Sequence, residues 1–278
     1  MSDTVRDDRV RIDGTGSYDD VHCEEFSVNG TGSVSGTLVA DRVSIDGTAT
    51  VGDRLDAGDL DVDGTATVDG DASVERGEID GTAKFGGAVS ADDLRVDGTA
   101  KVDGNLDGHD VSVDGTLKAA GSLVAATASV DGAATVDGAT DVTDLSVDGT
   151  GKFGTVNAEA FSASGGVRAA DVTARTFDLT VGGRSEIDRL AADEVVVRDG
   201  DGDRSLGLVV KLLGGSERVF EAGTIEAETA ELEQTRAGTV VADAVTLGAD
   251  VEVDALYADD VDAHPDADVG ETHPREAY

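Results

Sequence analysis

Two short segments carry residue types that could do chemistry, and each lacks part of the pattern that its chemistry needs. Residues Gly149 to Gly154 read GTGKFG, the spacing of a dinucleotide-binding loop, but they lie inside a longer repeat and not between a strand and a helix. Residues 199–203 read DGDGD, like the start of an EF-hand, yet Arg204 and Val210 replace the glycine and the bidentate glutamate that bind calcium. The sequence therefore predicts no nucleotide site and no calcium site.

The side chains that most often act as bases, nucleophiles and metal ligands are also scattered. The single cysteine, Cys23, can form no disulfide within the chain, and its inward position predicts a buried, reduced thiol. No nucleophile–base pair can be nominated from spacing. We therefore expect no enzyme activity, no cofactor and no metal site. The histidines share no common position in the sequence: His22, His109, His264 and His273.

The elements that position all these residues are copies of one repeat. Glycines recur at a constant interval from Gly30 through Gly47 and Gly64 to Gly200, and Gly14 precedes Gly30 at an interval that is one residue shorter. We number each turn from the apolar residue before the Asp-Gly pair, so that Val62 is at position 1 and Gly64 at position 3. Apolar residues also recur at positions 5, 7, 11 and 16, in the alternation of short strands with glycine-rich corners. The period predicts an all-β, three-sided parallel β-helix with about 17 residues per turn.

The period also divides the chain into segments. We expect a short tail over residues 1–10, a regular β-helix over 11–203, an apolar insertion over 204–222, less regular turns over 223–261 and a disordered acidic tail over 262–278. The insertion contains Leu206 to Leu213, the most apolar run of the chain. The motif fades at Ser164, which falls at position 1, and Arg168 falls at a normally small inward position.

Composition limits the partners. The 278 residues include 59 acidic and 21 basic side chains, a formal net charge of -38, which excludes the basic surface that binds nucleic acid. Such acidity suits a halophilic source, because concentrated salt screens the self-repulsion. The N-terminus has no apolar signal segment, so we expect a cytoplasmic protein, with a cortical position left open. Any membrane contact is expected at Leu206 to Leu213, which is too short to span a bilayer.

Two files of charged residues are expected on the outside of the solenoid. Aspartates at position 2 are interpreted first as turn residues and second as a cation-binding file; they recur once per turn from Asp46 to Asp148. Lysines at position 6 either relieve local negative charge or form a lateral contact with an acidic face. Four of the five lysines belong to this set: Lys84, Lys101, Lys118 and Lys152.

The segments "VSIDGTATVGDRLDAGDLDVDG" and "VDGTAKVDGNLDGHDVSVDG" resemble the bactofilin family and, with this acidity, its haloarchaeal relatives, the halofilins. The resemblance is good from Val28 to Gly149 and weaker to Val261. It implies a right-handed β-helix that polymerises end to end without nucleotide, with itself or with other bactofilin-like proteins as partners. The chain departs from the family by having about twice the usual number of turns and no N-terminal membrane-binding segment.

The ends of the solenoid are the predicted self-association sites, because an open β-helix leaves unpaired strand edges over an exposed core. The alternatives left open are a left-handed hexapeptide-repeat acyltransferase, which favours 18-residue turns and a histidine base, and a β-helix that binds a ligand without polymerising. The candidate end residues are Ile12, Val28, Val251, Val253, Leu256 and Tyr257.

Overall fold

The computed structural model describes residues 4–200 and 218–278. The chain divides into two compact units, Met1–Asp141 and Val142–Tyr278. Both are parallel β-solenoids, with about 15 turns of about 17 residues in all, and no α-helix occurs in the described residues. The predicted all-β parallel solenoid is confirmed, and the right hand implied by the family resemblance stays a prediction.

Each regular turn of the first unit contains a long strand followed by a short one. In β7 the burial alternates along Leu55–Ala57 and Leu60–Val62, and the two residues between them turn outward, so the long strand bends and forms two sides. The short strand forms the third side. The strands are β1 Thr4–Ile12, β2 Thr15–Tyr18, β3 Asp20–Val28, β4 Thr31–Val34, β5 Leu38–Ile45, β6 Thr48–Val51, β7 Leu55–Val62, β8 Thr65–Val68, β9 Ala72–Ile79, β10 Thr82–Phe85, β11 Val89–Val96, β12 Thr99–Val102, β13 Leu106–Val113, β14 Thr116–Ala119, β15 Leu123–Val130 and β16 Ala133–Val147.

The core of the first unit consists of files of like residues. Ile45, Val62, Ile79 and Val96 pair in register on successive turns, and each is at most 3% exposed. Branched side chains suit this wall because they pack well on a pleated surface. Cys23 is buried as expected, and burial raises the pKa of its thiol to about 11.

The glycines at position 3 are needed for the close approach of successive turns. A Cβ on Gly98 would lie 2.0 Å from the carbonyl oxygen of Gly81, and the same contact recurs at 2.0–2.1 Å from Gly30 to Gly132. None of these glycines has a left-handed φ. Glycine is often needed in tight turns for a positive φ, but this corner requires it for the missing side chain.

The second unit repeats the architecture with a changing period. The number of residues between partners in register differs from one turn to the next, as one inward file of this unit shows. The longest step of this file includes residues 201–217, which lie outside the described residues. The file consists of Phe153, Ala169, Ile187, Ala222, Ala237 and Val253. The strands are β17 Thr150–Ala163, β18 Gly166–Val181, β19 Arg184–Asp199, β20 Val219–Glu226, β21 Thr229–Leu232, β22 Thr235–Leu247, β23 Glu252–Ala263 and β24 Asp268–His273.

The step from β17 to β18 corrects two sequence assignments. The amide nitrogens of Ser164 and Gly165 both donate to the carbonyl oxygen of Val147, as positions 2 and 3 do elsewhere. Ser164 is therefore at position 2, not at position 1. Arg168 pairs with Lys152 on the outer surface, and Val167 fills the inward position with 1% exposure. The prediction of an inward Arg168 is wrong because this turn is one residue shorter.

The terminal segments also differ from their prediction. Residues 4–10 belong to β1 and pair with β3, so most of the expected N-terminal tail is strand. Residues 268–273 form β24, which pairs with β23, and a 3-10 helix follows over Arg275–Ala277. The predicted disorder from residue 262 is wrong for these residues. Leu206 to Leu213 and most of the predicted insertion 204–222 lie outside the described residues, although residues 219–222 belong to β20.

Candidate self-association surfaces

The lysines of the first unit form one continuous file. Lys84, Lys101 and Lys118 pair in register on β10, β12 and β14, and all three are exposed. The Nζ atom of Lys101 lies 2.5 Å from a carboxylate oxygen of Asp103. Among the described residues, Lys84 and Lys118 form no ion pair. In the second unit, Lys152 of the predicted set pairs in register with Arg168.

The aspartates at position 2 of the first unit form a second file, on the corner just before the short strands. All are exposed, and two of them, Asp97 and Asp114, share the guanidinium of Arg95. Carboxylate crowding is visible at Asp114, whose pKa is raised chiefly by its contact with Asp97. Glu78, Asp80 and Asp97 also bring carboxylate oxygens within 4.8 Å of one another, but exposed acidic groups commonly cluster without an ion, and we assign no metal site. The file contains Asp46, Asp63, Asp80, Asp97, Asp114 and Asp131.

Sequence reasoning missed a file of alternating charge on another side of the first unit. Asp59 lies between two arginines in register with it: Arg76 is 2.6 Å away and Arg42 3.4 Å away. The file continues toward the N-terminus, where Arg9 is 2.5 Å from Glu25. The pKa of Asp59 is lowered, chiefly by Arg76. The sequence did contain a signal for this file. At the position one residue before an inward position, the sign of the side-chain charge alternates from turn to turn.

The N-terminal turn is open at its outer edge. β1 and β2 pair with β3 and β4 on one side, and no described strand pairs with their other side. A Cβ on Gly14 would meet nothing within 4 Å, whereas the equivalent atom in each of the next seven turns would strike the preceding turn. Of the predicted end residues, Ile12 lies in this first turn and Val28 lies beneath it, between Ile12 and Ile45.

The C-terminal turn is covered by the chain itself. β24 lies in register on β23, with Val269 opposite Val253 and Thr272 opposite Leu256. Tyr257 stacks on the ring of His273 at 5.1 Å and contacts the ring of Tyr278 at 5.2 Å. Val251, also predicted as an end residue, is 2% exposed, and its carbonyl oxygen accepts a hydrogen bond from the amide of Asp268. The predicted C-terminal end residues therefore have neighbours within the chain.

The segments that carried isolated chemical signals lie, where they are described, largely in strands of the solenoid. Gly149 to Gly154 falls largely within β17, with Gly151 and Phe153 buried. Asp199 ends β19, and its amide nitrogen donates to a carboxylate oxygen of Glu233, while residues 201–203 lie outside the described residues. His22 and His109 lie on separate turns of the first unit. No helix among residues 4–200 and 218–278 is long and apolar enough to cross a membrane.

A comparison with known protein families matches the N-terminal part of the chain. Residues 3–90 match the sequence model of the bactofilin family, which is described as polymer-forming cytoskeletal. This segment is similar to the bactofilins. It spans less than half of the 278 residues and corresponds to the first five turns. No curated protein and no solved structure gives a significant match to the chain. The match makes a structural, polymer-forming role the first hypothesis for the chain.

Proposed function

We propose that the chain joins copies of itself through its solenoid ends into cytoskeletal filaments, without nucleotide, and that these filaments support cell shape in the cytoplasm of a halophilic archaeon. The observation that carries this proposal is the open N-terminal turn. Its strand edge has unpaired backbone groups beside the buried side chains of Val10 and Ile12. Such an edge is a template for pairing with another chain.

The open space at Gly14 indicates how a second copy would fit. Within the first unit, each position-3 glycine lies against the carbonyl oxygen of the turn before it. No described turn precedes that of Gly14, so its α-carbon faces the position that another copy would occupy. The C-terminal end differs, because β24 and the 3-10 helix cover it and leave only the outer edge of β24 for a second contact. We infer that N-terminal ends join first and that the C-terminal contact then extends the filament.

The charge supports a halophilic setting. Two chains of formal charge -38 repel each other strongly in dilute buffer, whereas at 1 M salt the Debye length is only about 3 Å. Polymers are therefore expected in molar salt and are expected to dissociate when the salt is removed. Contacts with other bactofilin-like proteins, or with a membrane through Leu206 to Leu213, are further parts of this proposal.

The test is electron microscopy of the purified protein in molar salt without nucleotide. Gly14→Leu should leave the fold intact, because a Cβ there meets nothing within the chain, and should abolish the filaments or shorten them severely. Gly183→Leu is the matched control, since a Cβ at Gly183 also meets nothing within 4 Å but belongs to the second unit. Circular dichroism would verify that both variants fold.

Several outcomes would contradict the proposal. A strictly monomeric protein in molar salt, polymers that require nucleotide, or filaments unaffected by Gly14→Leu would each do so. Discrete trimers that bind acyl-CoA would favour the acyltransferase alternative instead. Dimers that never extend would restrict the proposal to the N-terminal contact and indicate that β24 blocks the other end.

A further inference from the structure

The short-strand side of the first unit carries two parallel files of opposite charge. The lysine file consists of Lys84, Lys101 and Lys118, and the aspartate file of Asp80, Asp97 and Asp114. In both files, each residue lies next to its equivalent on the neighbouring turn, because the strands of successive turns pair in register. Within each turn, the lysine lies on the short strand and the aspartate on the corner that precedes this strand, four positions earlier.

We propose that this face binds the same face of a second copy, with the two solenoids side by side and parallel. The contact is lateral, so it is independent of the end-to-end joining proposed above and would add width where that joining adds length. Like charges stacked about 4.8 Å apart repel by roughly 0.9 kcal/mol per pair in water. A second copy that places the opposite charge in front of each file would relieve this repulsion. Arg95 already contacts Asp97 and Asp114, so the relief is greatest in the lysine file and at Asp80.

Symmetry selects the parallel arrangement. A two-fold axis that runs along the solenoid direction, midway between the files, places the lysine file of each copy opposite the aspartate file of the other. A two-fold axis across the solenoid direction places lysines opposite lysines and aspartates opposite aspartates. The first arrangement pairs every charge, whereas the second pairs none, so the charge pattern discriminates between them.

The side chains between the files allow close approach. Position 4, halfway between them, holds Thr82, Thr99 and Thr116, which lie in register and are small. Lys84 and Lys118 form no ion pair with the described residues, and Lys84 acts on Asp103 only at longer range. Lys101 would exchange its exposed contact with Asp103 for one across the interface. Exposed ion pairs contribute little, so this exchange costs little.

A charge-swap experiment tests the pairing. The first variant carries Lys84→Glu, Lys101→Glu and Lys118→Glu, and the second carries Asp80→Lys, Asp97→Lys and Asp114→Lys. Each variant alone places like charges opposite each other on both sides of the axis. Their mixture places glutamates and aspartates of one copy opposite lysines of the other, so it should restore pairing. We expect the lateral dissociation constant to be about tenfold larger for each variant alone, and to return to the original level in the mixture.

The readouts are particle mass and filament width at about 1 M salt, where repulsion between the chains as a whole is screened, whereas charge pairs buried in the contact are screened much less. Lys84→Thr, Lys101→Thr and Lys118→Thr form a milder variant, because threonine already occupies this file in neighbouring turns. Its charge-matched control places glutamate at exposed or half-buried positions on another side of the same unit: Ser73→Glu, Ser90→Glu and Val124→Glu. The control should keep the original width and mass.

A single cysteine determines the polarity of the pair. In the parallel arrangement the axis passes near the threonines, so Thr82→Cys of one copy meets Thr82→Cys of the other and forms a disulfide under mild oxidation. In an antiparallel arrangement centred on Thr99, the middle of the file, Thr82→Cys would lie opposite Thr116→Cys. The native Cys23 is buried and does not compete.

Three results would overturn the proposal: charge variants with the width and mass of the original protein, a mixture that fails to restore pairing although both variants fold, or cross-linking only between Thr82→Cys and Thr116→Cys. Loss of length with normal width would instead concern the end contact. The two proposals therefore fail in different ways.

Discussion

The two units have the same solenoid architecture, but they differ in the regularity of the repeat and in the side chains of the core. After its first step, the first unit keeps one constant period through β14, and its turns contain near-identical side chains. The second unit changes its period at each step from β17 to β22. A strict repeat gives every turn the same neighbours, so small aliphatic residues suffice. A broken repeat creates spaces of unequal size, which particular large side chains must fill.

The aromatic residues show this difference. In the second unit, the rings of Phe161 and Phe177 meet edge to face at 5.2 Å, and those of Phe177 and Phe220 stack at 6.0 Å. In the first unit, Phe85 lies between Val68 and Val102 in a file that is otherwise aliphatic from Val34 to Val136. Phe161, Phe177 and Phe220 therefore depend on one another, whereas Phe85 replaces a valine.

The largest expected effect is at the centre of the aromatic stack. Phe177→Ala should lower the free energy of unfolding by about 3–5 kcal/mol, because a 1% exposed ring is removed and two rings lose their partner. Phe85→Val should cost less, about 1–2 kcal/mol, since valine occupies the same position in the neighbouring turns. Urea-induced unfolding followed by circular dichroism measures both. Equal losses for the two variants would show that the second unit does not depend on its particular residues.

The next effect compares two position-3 glycines. Gly98→Ala would place a methyl group 2.0 Å from the carbonyl oxygen of Gly81 and 2.2 Å from that of Asp80, so the stacked turns must separate. We expect a loss of about 2–3 kcal/mol, typical of overpacking. Gly183→Ala in the second unit meets nothing within 4 Å and should be close to neutral. Thermal unfolding of both variants makes the comparison, and a neutral Gly98→Ala would contradict the close-packing role of this glycine.

What the sequence predicted follows the same division. The files of the first unit were predictable because a constant period fixes which residues stack, and the lysine file needed nothing more. The pairing of Lys152 with Arg168 could not be predicted in this way. One residue is missing before Gly165, which shifts the register without changing the composition. Gln234 shows a similar limit. It occupies position 3 with a φ of 47°, and because the residue is not a glycine, nothing in the sequence indicates this left-handed conformation.

The C-terminal strand was missed for another reason. β24 has almost no apolar alternation, and composition alone favoured disorder. Its order comes from pairing with β23 and from contacts distant in sequence, such as the ion pair of Arg275 with Asp243 and the hydrogen bond from the backbone amide of Arg275 to Asp259. Backbone pairing of this kind depends on the presence of a preceding turn, which a local pattern does not describe.

The smallest expected effect concerns the crowded carboxylates of the first unit. Burial, then the neighbours Asp63 and Glu78, raises the pKa of Asp61 above its ordinary value of 3.8. A carboxyl group with a raised pKa in the fold destabilises the fold when it ionises, so this cost is absent below pH 3.8 and is fully present above the folded pKa. Asp61→Asn should therefore raise stability at neutral pH in dilute salt, by no more than about 0.5 kcal/mol, as expected for a surface site.

The gain from Asp61→Asn should shrink at molar salt, where the repulsion from Asp63 and Glu78 is screened, and should disappear at about pH 3. Thermal unfolding at two pH values and two salt concentrations tests this. Asp260→Asn in the second unit is the control, because Asp260 is exposed and its neighbour in register, Ala244, is uncharged. A gain for Asp61→Asn that persists in acid would show that the amide stabilises the fold by packing or hydrogen bonding, and not by removing charge from a crowded face.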